Sequence, residues 1–197
     1  MKHHFFSILL LLLLGPTCFG TSHNDFIDKP DSNQGWTWTY MLGLGAQIHT
    51  PKNYRNDGHS DYVGHPVEFA AIVRKTQELP HSKGPSQLKV YTNVNVLRNF
   101  DDPSDELAFL SANLGLNAPF ERFPTRQYLI PFIGTEIGGL YQSDYSSFQI
   151  TPTAGLHVYS NKYVLCNLQI GYKYAFRRFS ENNGMVLGLM INASLWP

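Results

Sequence analysis

Charge is scarce in this chain. Charged residues make up 15% of it and the formal net charge is zero, against about 25% charged in ordinary soluble proteins. Without a basic excess there is no electrostatic case for nucleic acid, which demands a positive face. Cysteine is scarcer still, with Cys18 and Cys166 alone. If Cys18 leaves with an N-terminal leader, no internal disulfide can form, and a lone Cys166 on an apolar strand face reads as a small hydrophobe. Past Leu14 the apolar runs fall short of the roughly eighteen residues that a transmembrane helix requires. Helical periodicity of any length is missing as well. A chain of this kind enters a membrane only as a closed barrel, because an open sheet edge finds no hydrogen-bond partner in hydrocarbon. No glycine-rich phosphate loop occurs, and His49, His59 and His65 with Asp57 and Asp61 match no compact zinc spacing, so no metal and no cofactor is expected.

What the chain does have begins with a leader. Lys2, His3 and His4 precede an apolar run from Phe5 to Leu14 and a small-residue exit at Cys18-Phe19-Gly20. Residues 1–20 read as a secretory signal peptide cut after Gly20. An alternative in which Cys18 is lipidated lacks the apolar residue usual three positions upstream. Residues 21–35 are polar and read as a flexible periplasmic leader. Residues 36–197 then form one domain.

That domain alternates. Trp38, Tyr40, Leu42, Leu44, Ala46 and Ile48 interleave with Thr37, Thr39, Gly43, Gly45, Gln47 and His49. Side chains in a strand change faces at every residue, so such a run is a strand with one apolar and one polar face. The same pattern recurs near 67–75, 88–96, 108–117, 128–141, 148–159, 164–176 and 187–195, with polar or Pro/Gly/Ser-rich breaks between. The breaks include a long loop over 51–65 and a shorter one over 142–147. The count is eight, which is even and predicts an all-β fold: an eight-stranded antiparallel up-and-down transmembrane β-barrel with both ends on one side. Rings gather near strand ends, as at Trp36, Trp38, Tyr172, Tyr174 and Trp196, where membrane interfaces favour them.

Alternation alone leaves open which face points inward. A soluble lipocalin-like lipid-binding barrel would turn the apolar face to a ligand cavity. Here the polar face is Asn, Gln, Thr, Ser and Gly with few charges, which suits a narrow lumen better than a solvated exterior. Glu68, Arg74, Lys89, Glu136, His157 and Lys173 are the expected lumen polar network.

The eight amphipathic strands, the leader, the segment Pro131-Phe132-Ile133-Gly134-Thr135-Glu136-Ile137-Gly138 and the Leu195-Trp196-Pro197 end resemble the small outer-membrane β-barrel proteins of Gram-negative bacteria, the OmpA-like and OmpX-like barrels. The resemblance implies location in the outer membrane, contact with its lipids and lipopolysaccharide, insertion by the barrel-assembly machinery through the last strand, and a structural or surface-interaction role, as a monomer. Some similar barrels are enzymes. The lipid A deacylases carry a His and a Ser two residues apart on one strand face, and the nearest match here is His157 and Ser160, three apart. An unbroken strand puts those two on opposite faces, so the expectation is a barrel without enzymatic activity. Membrane-embedded lipid A hydrolysis is the alternative.

Overall fold

The computed structural model describes residues 36–52, 61–75, 87–100, 109–121, 126–142, 145–176 and 182–195. The signal peptide, the leader, Cys18, Asp57, His59 and the Trp196-Pro197 end lie outside the described residues.

The strands are β1 (Trp36–Pro51), β2 (Tyr62–Gly64), β3 (Val67–Lys75), β4 (Gln87–Asn99), β5 (Phe109–Pro119), β6 (Tyr128–Gln142), β7 (Tyr145–Ser160), β8 (Val164–Ala175) and β9 (Gly184–Ser194). Every pairing is antiparallel between neighbours around the sheet, and β9 returns to pair with β1 from Met41↔Ser194 to Pro51↔Gly184. The sheet therefore closes on itself and has no edge. The short β2 pairs with β1 at Gln47–His49 and with β4 at Leu97–Asn99, so it occupies the same slot as β3. Together they form one stave of an eight-stave barrel, interrupted at His65-Pro66. Proline supplies no N–H to the ladder and restricts the residue before it, which explains the break. The Pro66 carbonyl still accepts from Gly45 N at 3.1 Å, bridging the gap.

Two expected loops are shorter than their composition suggests. The tail of the 51–65 loop is β2, and the 142–147 loop shrinks because the β6–β7 ladder runs to Gln142↔Tyr145. Polar, turn-forming residues predict loop at both places, but antiparallel pairing of the long flanking strands carries them into the sheet.

The two faces separate cleanly. Leu44 is 66% exposed, Ile191 54% and Ile133 51%, whereas Asn167 and Asn192 are fully buried and Glu136 is 5% exposed. The apolar set thus faces outward and the polar set inward. This is the reverse of a soluble lipid-binding barrel, which needs the apolar face around its cavity, and it corrects that alternative. A small apolar cluster, Met41, Ala70, Ile72, Tyr91 and Leu165, also lies inside, toward the end where β1 starts and β9 stops. We call that end the terminal mouth.

Parity breaks once, and near that mouth. Between His157 and Tyr159 the β7–β8 register shifts, His157 facing Asn167 but Tyr159 facing Cys166. This is a β-bulge, in which one extra residue bends a strand and redirects the side chains beyond it. Opposite it on β6, Leu129 has a φ of 49°, rare for a residue with a branched side chain. Arg126 braces this kink by donating from Nε to Tyr128 O (3.0 Å) and from Nη2 to Leu129 O (2.8 Å).

Candidate functional site

The interior is polar by sequence alternation, and its side chains sort into three groups. One row of paired residues runs Met41↔Ala70↔Tyr91↔Gly115↔Glu136↔Thr151 across six staves. Gly115 leaves room for the Tyr91 ring to lie directly over β5, where any Cβ would collide with it. The phenol thereby reaches past β5 and donates to Glu136 Oε1 at 2.8 Å. Asn93 Nδ2 and Gln169 Nε2 donate to the same oxygen at 3.2 and 3.3 Å. Glu136 is thus held by three neutral donors from β4 and β8. Lys173 lies within electrostatic reach of it but makes no hydrogen bond among the described residues.

Next to this row, Lys89 Nζ is 2.5 Å from Glu68 Oε1, with both side chains almost wholly buried. The ammonium also sits 4.4 Å from the centre of the Tyr91 ring, a favourable cation–π placement. Burial without pairing would be prohibitive for either charge. Lys89 therefore partners Glu68 rather than Glu136.

The third group forms at the terminal mouth. Arg74 Nε donates to Gln87 Oε1 at 3.1 Å, and its Nη2 donates to Ser160 Oγ at 3.1 Å. Ser160 Oγ in turn donates to Gln87 Oε1 at 3.3 Å, while Gln87 Nε2 donates to His157 Nδ1 at 3.2 Å. The bulge corrects one sequence expectation, since it brings His157 and Ser160 to the same inward face. They remain bridged by Gln87 instead of touching, and the His157 ring packs on Phe132, centroids 4.7 Å apart.

Of the six expected network residues all point inward, but they fall into separate clusters. Glu68 and Lys89 pair, Glu136 and Lys173 lie within electrostatic reach of each other, and Arg74 and His157 share the mouth. The connecting groups Gln87, Tyr91, Asn93 and Gln169 are missing from the sequence-based set. Alternation puts them on the polar face, but their reach across a neighbouring strand depends on barrel curvature. Among the loop histidines, His49 is an interior residue stacked on Tyr62 at 6.1 Å, whereas His65 is exposed.

No protein-family model and no curated protein matches the sequence. Solved structures do. Neisserial surface protein A is similar at 11% identity with a TM-score of 0.52, covering 82% of this chain and 99% of that one. The N-terminal β-barrel domain of Pseudomonas aeruginosa OprF matches at 10% identity with a TM-score of 0.47, covering 81% and 100%. Ail, the attachment invasion locus protein of Yersinia pestis, matches at 12% identity with a TM-score of 0.39, covering 82% and 98%. Of these three only the first is close enough in shape to bear on the fold, and its likeness over 82% of the chain supports the architecture described above. The chain has the closed eight-stranded up-and-down barrel fold of the small OmpA-like and OmpX-like outer-membrane proteins.

Proposed function

We propose that this protein is an integral barrel of a Gram-negative outer membrane, with a filled polar interior and a structural or surface-interaction role. The observation that carries this reading is the outward apolar band. Leu44, Ile48, Leu114, Ile133, Ile170 and Leu189, drawn from strands around the barrel, are all exposed. In water such a continuous belt would drive association; in lipid it is the required surface. The barrel is exported through residues 1–20, inserts by way of its last strand and works as a monomer among outer-membrane lipids and lipopolysaccharide.

A filled interior is supported by two close approaches. The Tyr91 ring occupies the space over Gly115, and the Phe132 ring occupies the space over Gly155. Eight staves leave an interior just wide enough for side chains, so rings laid across it oppose a continuous water path. Catalysis is disfavoured by the partners of Ser160. Its hydroxyl proton goes to an amide oxygen, which cannot act as a general base, while His157 Nδ1 is already an acceptor for Gln87.

Heat-modifiable migration on gels and recovery in the outer-membrane fraction test the first part. Release of the protein as a soluble species would overturn it. Mass spectrometry of lipid A from cells expressing the intact protein, His157→Ala or Ser160→Ala tests the second. Acyl chains lost with the intact protein and retained with either variant would establish the hydrolase instead.

A further inference from the structure

At the terminal mouth a cavity of about 370 Å³ opens beside the Arg74 cluster, lined also by Arg126, Lys162 and Tyr163. That size falls within the range of small-molecule sites. Its charge is lopsided. Arg126 is offset by Glu121 at 3.1 Å, but among the described residues Arg74 is held only by the neutral acceptors Gln87 and Ser160. Lys162 rests over the Tyr163 ring, 4.6 Å from its centre, and no carboxylate pairs with it among the described residues. Two cations therefore border one cavity without a counter-ion among those residues.

The Arg74 donors and the turn that carries Lys162 are preset. The Nε and one Nη2 hydrogen of Arg74 are spent on Gln87 and Ser160, which fixes the guanidinium plane and leaves its Nη1 end unused among the described residues. The Ser160–Val164 turn is equally fixed, since Asn161 Oδ1 accepts from Tyr163 N at 2.8 Å and Val164 N at 2.6 Å. A guanidinium fork of fixed orientation and a compact ammonium lining the same cavity suit a tetrahedral anion, which offers oxygens in several directions. We propose that the terminal mouth binds a phosphate group, clasped between Arg74 and Lys162.

Two sources could present that group. Tyr128 and Tyr163 are exposed rings on the adjoining outer rim, the position interfacial aromatics take at the level of lipid headgroups. The headgroup source rests on the membrane reading above; a free phosphate compound does not.

The test uses the full-length protein folded in neutral maltoside micelles and titrated calorimetrically with inorganic phosphate, glycerol 3-phosphate, short-chain phosphatidylglycerol and phosphatidylcholine. Saturable binding is expected, weakened about tenfold by Arg74→Gln and several-fold by Lys162→Gln, with Lys162→Arg restoring it. Lys162→Gln alters an exposed turn and spares the interior bonds, so it stays informative if Arg74→Gln fails to fold. Binding of both free probes identifies a soluble phosphate compound, and binding of the lipids alone identifies a headgroup. A folded barrel that binds none of the probes, or binds them equally well in the Gln variants, overturns the site while leaving the barrel reading intact. A chain lacking heat-modifiable migration overturns the barrel reading instead.

Discussion

Tyr91 on β4 donates its phenolic proton to Glu136 on β6, 2.8 Å away, with Gly115 of the intervening β5 beneath its ring. Three consecutive staves are thereby tied by one side chain, and the smallest residue sits where the tie passes. Tyr91→Phe removes the shortest of three hydrogen bonds to a buried carboxylate and should cost about 1.5–3 kcal/mol, the range for hydrogen bonds to charged groups. Gly115→Ala should cost about 1–3 kcal/mol by overpacking. Urea unfolding in lipid vesicles measures both. The two losses combined in one protein should be less than their sum, since either change breaks the same contact.

Glu68 and Lys89 form a buried ion pair in the interior. Glu68→Gln or Lys89→Met alone leaves the other charge stranded and should destabilise by about 3–5 kcal/mol. The double variant should recover much of that loss, because no uncompensated charge remains. The same unfolding titration reads the cycle, and additivity of the two single losses would show that the pair is not coupled.

Leu44 stands near the middle of β1 with two thirds of its surface open. Arginine there should cost about 2–4 kcal/mol if this face meets the bilayer midplane, whereas arginine at Tyr163 beside the mouth should cost about 0–1 kcal/mol. Refolding yield and urea midpoint in vesicles compare them. Equal effects at the two positions would contradict an outward lipid face.

The β7 bulge decides where Ser160 points. Deleting Val158 removes the extra residue and leaves Ser160 two positions after His157, so simple alternation should keep it inward beside Arg74; deleting both Val158 and Tyr159 should swing it outward and strip Arg74 of one acceptor. In a background with Cys18 and Cys166 changed to Ser, Ser160→Cys should resist a lipid-soluble maleimide with or without the Val158 deletion, and the double deletion should make it reactive. Labelling that rises with the single deletion, or stays low with the double one, would show that the count of residues after His157 does not set the direction of residue 160.

Alternation by itself determined the staves and which residues share a face. From Leu42-Gly43-Leu44 to Leu189-Met190-Ile191, period two is a local property of extended backbone, and the choice between polar and apolar at each step is written residue by residue. Polar and turn-forming neighbours hid the extra length of the staves at 62–64 and 145–147, since pairing there comes from neighbouring strands already aligned by the rest of the ladder. The interior partners were decided only by the tertiary structure. That Tyr91 meets Glu136 and Lys89 meets Glu68 depends on how far each stave is staggered around a closed curve, and stagger is a relation between strands distant in sequence. The bulge at Val158 has the same origin: β7 must match two neighbours at once, and one extra residue near the mouth brings Ser160 onto the face of His157.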